Sequence, residues 1–515
     1  MVWHIFKKDL RLMWRMALGV ALIHLAVAAI MIKAAHFGMD PALRSLLDMI
    51  QLVGTFGTAF LVVAAVQQDA IPGVRQDWLA RPIKRTDLML SKMLFVVILV
   101  QGPILLGDLA EGLAFGFPLQ QSVAAATLRS IWMLFAFDLP LLAFGTLTKN
   151  STEAVVGGLA MVLTVSGILA TLNEFNHGPR WQPTMRTGVA WITESTIILL
   201  GLLATAVILA YQYYRRKTTP ARCTAGVACV LLVATLSMPW RPAFAVQQRL
   251  SPNPTVAEPV SIVFEPSLGK FRDRSGLHRL DRNENEVIVS LPMRFSGLPT
   301  DSVLNEDYSE IRWIDADGRR EDLVTFSGIE VRKDAPSGGP VRAYHPIRFL
   351  TEEYNRIKDR RARIEIDYSL TLLTLAASHG IPAVRGEQRA PDLGWCKTRV
   401  NPAGSAVQLA CLAPGQTRGC ATVFLEHKPE GRRNPERSNC YPDYSPYSGQ
   451  FQPDAMRRFG LSLPFRDATG LARYPIEGPD IGESQIVVRI YKAQDHFTRR
   501  IVIPEIRLSD WVVGI

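Results

Sequence analysis

The chain has 515 residues, too many for one ordinary domain, with 48% hydrophobic and 20% charged residues and a formal net charge of +10. The positive charge does not mark a nucleic-acid binder. Much of it sits in short segments beside long apolar runs, and the basic patch GRRNPERSNC has neither a zinc pattern nor an aromatic-basic stripe behind it.

The first 246 residues are mostly apolar runs, whereas 247–515 are polar, of mixed charge and rich in proline. The chain therefore divides into a membrane half and a soluble half. It opens with MVWHIFKKDLRLMWRM, in which Trp3, Phe6, Leu10 and Met13 or Trp14 recur at helical spacing, with Lys7, Lys8, Arg11 and Arg15 on the other face. This pattern predicts an interfacial amphipathic helix over 1–16. A helical bundle of seven spans is expected over 17–246, at 17–34, 50–68, 92–111, 124–146, 154–172, 189–212 and 223–245, each near the length that crosses the hydrocarbon. With the N-terminus inside, fourteen basic residues fall on inner segments and six on outer flanks, so charge bias leaves the soluble half outside. The last run ends in MPWRPAFAVQQ, where AFA fits a signal-peptidase site and the arginine and prolines fit the edge of an anchored helix.

Between the second and third runs, Pro72 and Gly73 end the exit from the membrane. Val74, Trp78 and Leu79 then form a short apolar ridge flanked by Arg75, Asp77 and Arg81, and Pro82 closes it. A second helix starts near Thr86, with Asp87 in its first turn. A compact unit of this kind at the inner mouth of a bundle is suited to touch a cytoplasmic partner. Further on, Asp108 and Glu111 read as interfacial. Asp138 and Pro140, in FAFDLPLL, break the fourth run. A carboxylate inside an apolar helix is costly and must face protein or water, and the proline frees a carbonyl one turn earlier. The two read either as a pathway or gate element or as a polar clamp to a nearby serine or threonine.

On two stretches the chain resembles the permease subunits of ABC-2 type transporters: I-F-K-K-D-L-R, from Ile5 to Arg11, and D-W-L-x-R-P-I-x-R-x-D-L-x-x-x-K, from Asp77 to Lys92. The resemblance covers roughly 1–215. It implies that the inner loop carries a coupling helix docking on a separate ATPase subunit, with Arg75, Asp77, Trp78, Arg81 and Pro82 at the contact. It also implies a second permease copy or homologue, outward movement of the substrate, and residence in the bacterial cytoplasmic (inner) membrane. Such permeases usually have six spans in their core, against seven here, and the soluble half is an addition. No G-x-x-x-x-G-K-[ST] occurs, so no phosphate cradle is present. ATP and Mg are then bound by the partner, this chain holds no cofactor, and it is a transport subunit and not an enzyme.

After a linker over 247–265, residues 266–515 show strand-like runs at 287–295, 362–375, 406–413, 421–428, 484–493 and 496–508, with room for a helix in 341–360. They predict a mostly β, sandwich-like extracytoplasmic domain. Cys396, Cys411, Cys420 and Cys440 form an even set that suits two disulfides on an oxidising side, with three pairings open; a zinc site is the alternative. LDRNENEV lacks the glycine and last carboxylate of a calcium loop, and neither G-x-S-x-G nor H-E-x-x-H occurs, so no metal site and no catalytic set is expected. Two rival readings of the whole stay open: a membrane-anchored extracytoplasmic binding or sensing protein without transport activity, and a membrane enzyme using Asp138 or Glu194. The charge bias makes one firm prediction. A reporter fused after Ile515 should be active only in the extracytoplasmic space; a cytoplasmic signal there would reverse the orientation.

Overall fold

The computed structural model describes residues 1–37, 41–69, 84–176, 189–215, 217–271, 286–323, 329–333, 339–390, 393–401, 404–412, 420–439, 459–466 and 474–512. The N-terminal half is helical: α1 (Val2–Phe37), α2 (Pro41–Gln67), α3 (Arg85–Phe95), α4 (Gly102–Ala114), α5 (Leu119–Met133), α6 (Leu139–Leu147), α7 (Ser151–Asn176), α8 (Ala190–Leu209), α9 (Thr218–Leu236) and α10 (Trp240–Arg249). Three π-helical turns lie within the series. Val96–Gln101 joins α3 to α4, Leu134–Asp138 joins α5 to α6, and Ala210–Arg215 extends α8.

Among the described residues, seven stretches are long and apolar enough to cross a bilayer: Val2–Lys33, Ser45–Gln67, Thr86–Ala114, Leu119–Leu147, Ser151–Ile168, Trp191–Arg215 and Thr218–Leu236. This is a multi-pass membrane protein. The outermost helices make the point most directly: Leu163 of α7 is 70% exposed and Val230 of α9 68%. Side chains so apolar belong against lipid.

Two boundaries differ from expectation. The N-terminal segment does not lie apart from the first span but continues into it as one helix of 36 residues, about 54 Å long at 1.5 Å per residue. No proline interrupts it, and Phe6, Asp9, Met13, Ala17 and Val20 share a buried stripe along it. That stripe packs against Leu61 and Val62 of α2 and Phe95, Val96 and Val100 of the third span. The run expected to cross at 223–245 is divided: α9 stops at Leu236, and Pro239 precedes a separate helix, α10.

The C-terminal half is built from antiparallel strands: β1 (Ser261–Phe264), β2 (Glu286–Ser296), β3 (Ser302–Asp315), β4 (Arg320–Leu323), β5 (Glu330–Lys333), β6 (Val341–Leu350), β7 (Ala362–Pro382), β8 (Glu387–Ala390), β9 (Gly394–Val400), β10 (Ala406–Leu412), β11 (Cys420–His427), β12 (Arg432–Arg433), β13 (Arg437–Asn439), β14 (Phe459–Pro464) and β15 (Ser484–Ile506). One short helix, α11 (Thr351–Ile357), follows β6. The long sheet runs β12-β11-β15-β7-β3-β4, and two small sheets, β1-β2-β6 and β14-β10-β9-β8, accompany it.

The runs at 484–493 and 496–508 are not two strands. They are one, β15, paired with β7 along almost its whole length and carried past Asp495 by bulges. This ribbon serves two cores. Ile364, Ile366, Tyr368, Ile501 and Ile503 pack with Val289, Leu291 and Ile347 of the first small sheet. Ile381, Ile486 and Val488 pack with Cys396, Val407 and Leu409 of the second.

The module is tied to the helices at two places. On α10, Trp240 stacks with Phe244, lies 5.4 Å from the Tyr308 ring and donates through Nε1 to Ser369 Oγ at 3.1 Å. At the other place, Leu412, Trp395 and Ala410, on the outer face of the second small sheet, pack against Phe117, Ala125 and Ala126. The disulfide Cys396–Cys411 ties β9 to β10 beneath that contact, across 15 residues of sequence. Cys420 is also in a disulfide, and Cys440 lies outside the described residues. A loop of this length is stabilised by about 3 kcal/mol when closed. Peptide mapping without reduction should recover Cys396 linked to Cys411, and the double variant Cys396→Ala/Cys411→Ala should lose roughly that stability in denaturant unfolding.

Candidate functional site

The segment expected to dock a partner, with Arg75, Asp77, Trp78, Arg81 and Pro82, lies outside the described residues. Its two ends do not. Asp69 stands just before it at the end of the second span, and Lys92 follows it in α3. Lys92 is 1% exposed, and its Nζ lies 2.6 Å from Asp69 Oδ2 and 2.7 Å from Asp9 Oδ2 of α1. Lys8 Nζ adds a third contact, 2.6 Å from Asp69 Oδ1. Ile5 of α1, Leu88 of α3 and Tyr213 of the π turn after α8 form an apolar cluster. Burial works to raise the Asp69 carboxyl, but the charges and hydrogen bonds of Lys92 and Lys8 hold it below the usual carboxylate range.

Helical spacing explains this clamp. Asp9 falls three residues after Phe6 and four before Met13, on the stripe that faces the bundle. The helix presents a carboxylate inward, so an inward cation must meet it. The two stretches that carry the family resemblance thus converge: Asp9 belongs to the first and Lys92 ends the second.

A second polar pair sits deeper in the bundle. Asp138 is fully buried, and its partner is not a serine or threonine. Gln101 Nε2 donates to Asp138 Oδ2 at 2.5 Å. Each residue is the last of a π-helical turn, and each is followed two positions later by proline: Gln101–Gly102–Pro103 and Asp138–Leu139–Pro140. Proline cannot donate to the carbonyl one turn back, and a π turn absorbs the missing bond by inserting a residue into the ladder. Pro140 therefore lies in the first turn of α6, and Pro103 in the first turn of α4. The same defect lies in neighbouring helices, joined by one side-chain hydrogen bond.

A third group lies toward the other end of the same spans. Asp108 and Glu111 are buried within the protein. Asp108 is gripped through both oxygens by Arg129 Nη1 of α5. Nearby on α1 and α2, His24 Nε2 and Thr58 Oγ1 are 2.8 Å apart. Carboxylates in spans are expensive unless paired, and these pairs hold spans one to four together from inside.

Three of these residues carried a faint signal in the sequence. Gln101 repeats the polar-x-Pro order of Asp138, Arg129 is a cation within an apolar run, and Lys92 is one at its start. No group of three or more His, Cys, Asp or Glu suited to a metal stands among the described residues.

The clamp supports a stability prediction. Lys92→Met leaves two buried carboxylates facing each other and should cost about 3–5 kcal/mol, the usual penalty for removing one partner of a buried pair. The double variant Asp9→Asn/Lys92→Met should cost less than the two single changes together. Because the Asp69 carboxyl is held low, the stability it lends is full above the ordinary carboxylate value, about 4, and fades as pH falls through its lower folded value. Asp69→Asn should flatten that acid limb of thermal unfolding in detergent. No protein-family model matches this chain, and no curated protein matches it.

Proposed function

We propose that the chain is the permease subunit of an ATP-driven transporter of the ABC-2 type. It moves its substrate outward, with its N-terminus in the cytoplasm, its β module outside, and ATP hydrolysis on a separate subunit. The observation that carries this reading is the clamp in which Lys92 of α3, beyond the 70–83 segment, binds Asp69, just before it, and Asp9 of α1. Any force applied to that segment is delivered to α1, α2 and α3 together, because one ammonium group binds all three. From α3 it passes along a continuous helical path to Gln101, and from there through a hydrogen bond to Asp138 in the fourth span. Paired π turns are natural places for such a path to have two arrangements. The chain itself breaks no covalent bond. It converts the movement of a docked partner into a change of helix packing.

The test is an affinity pull-down of the full-length chain in mild detergent with protein identification. An ATPase subunit should co-purify. Trp78→Ala should weaken that association by about 2 kcal/mol, the threshold of an interface hot spot, roughly a thirtyfold loss, with expression unchanged. Arg75→Ala should weaken it less, since an exposed charge contributes less than a buried ring. Absence of any ATPase, with crosslinks from position 78 reaching lipid alone, would overturn the reading.

A further inference from the structure

Four buried carboxylates of the bundle differ in what they are paired with. Asp9 and Asp69 have Lys92, and Asp108 has Arg129. Asp138 has an amide. An ionised carboxylate removed from water, with one neutral donor and no counter-charge, is the costly arrangement that folded proteins avoid.

Two oxygens at this pair are left over: Asp138 Oδ1 and Gln101 Oε1 are both buried without a hydrogen-bond partner. Both are acceptors, so neither can satisfy the other. A single proton changes that. Placed on Asp138 Oδ1, it makes that oxygen a donor, and the carbonyl of the same amide whose NH₂ already serves Oδ2 is an acceptor left without a partner. Acid and amide then close a ring of two hydrogen bonds, and both leftover oxygens are accounted for. A metal cation would need several more oxygen ligands, and no cluster of three or more acidic, histidine or cysteine side chains stands among the described residues.

The charged and titratable groups on the two spans that carry the turns do not compete for this role, and on the first span the buried His24 faces Thr58 of the second. Lys92 precedes Gln101 by nine residues and is held by Asp9 and Asp69. Asp108 and Glu111 follow Gln101 by seven and ten residues, and Arg129, which grips Asp108, precedes Asp138 by nine. At 1.5 Å per residue each is about 10 Å or more along its helix from the pair. On the sixth span, Glu194 lies in the first turns of α8, and Tyr211, Tyr213, Tyr214 and Arg215 lie in its last π turn.

We propose that Asp138 is a proton-binding site, holding a proton that it shares with Gln101 Oε1 to lock the third and fourth spans together. A hydronium ion of the solvent gives up the proton, forming an O–H bond on Oδ1 and leaving a water molecule and a neutral pair. When the π turns rearrange and water reaches Asp138, the proton returns to water, the second hydrogen bond is lost and the lock opens. The site stands on local geometry and does not require an ATPase partner.

Infrared spectroscopy of the full-length chain in lipid nanodiscs tests it. At neutral pH the wild type should show the C=O stretch of a protonated carboxylic acid that disappears in Asp138→Asn. Gln101→Leu should keep that band and shift it to higher frequency, because the acid loses its hydrogen-bonded partner. Asp138→Asn preserves shape and neutrality, and its melting temperature should match that of the wild type. A second measurement uses no variant: labelling aspartate carboxyls with ¹³C in the wild type should move the acid band by the isotope shift. Loss of a carboxylate band in Asp138→Asn, or no label-sensitive acid band, would overturn the proposal. A carboxylate band that responds to exchange of sodium for choline would also overturn it, in favour of a bound metal cation.

Discussion

Lys92 carries its ammonium group to a place that water does not reach, and the packing of the first three spans follows from how that charge is met. Asp9 approaches from α1 and Asp69 from the end of α2, while Lys8 covers the far oxygen of Asp69. Two cations and two carboxylates leave the cluster neutral. A buried set of this kind adds little net stability over an apolar replacement, yet removing one member is severe. Its effect is therefore on register. It fixes which turn of α1 faces which turn of α3, and the apolar contacts near it, such as the edge of Phe6 against Phe95, take their places accordingly.

Beyond the clamp, the helices divide by task. The first four spans carry buried polar groups at three depths, and two of them contain π turns that face each other. α7 and α9 carry almost none of this and present leucine and valine outward. An α-helix transmits displacement as a rod, whereas a π turn followed by proline has already given up part of its hydrogen-bond ladder. Bending concentrates where the ladder is weakest. The Gln101–Asp138 bond spans two such points and couples their bending.

Much of this architecture was legible in the sequence, for reasons that differ by half. The spans announce themselves because hydropathy reports lipid contact directly. The strands of the C-terminal half show through alternation, as in ARIEIDYSLTL, where the even-numbered residues enter one core and the odd-numbered ones lie on the other face. Asp138 stood out because a carboxylate in an apolar run needs a reason. Its partner did not, because a glutamine has no charge to betray it. Asp9 was assigned to neither face of the N-terminal helix, although its spacing puts it on the buried stripe. β15 was divided at Gln494 and Asp495, two polar residues between the apolar runs, and the pairing with β7 carries the strand across them. Pairing across distant sequence is the information that a single chain's local pattern lacks.

The long ribbon has a consequence for how this protein can change. Pro382 at the end of β7 lies directly opposite Gln485 at the start of β15. Everything between them, from β8 to β14, therefore leaves and re-enters the fold at neighbouring points. A stretch anchored in this way is topologically an insertion. It can lengthen, shrink or be exchanged without rerouting the strands that form the other core. The surface it places on Phe117 and Ala125 belongs wholly to the inserted stretch. That half of the module's grip on the membrane helices is the replaceable half, while the grip through α10 is built into the stretch that joins the helical half to the β module.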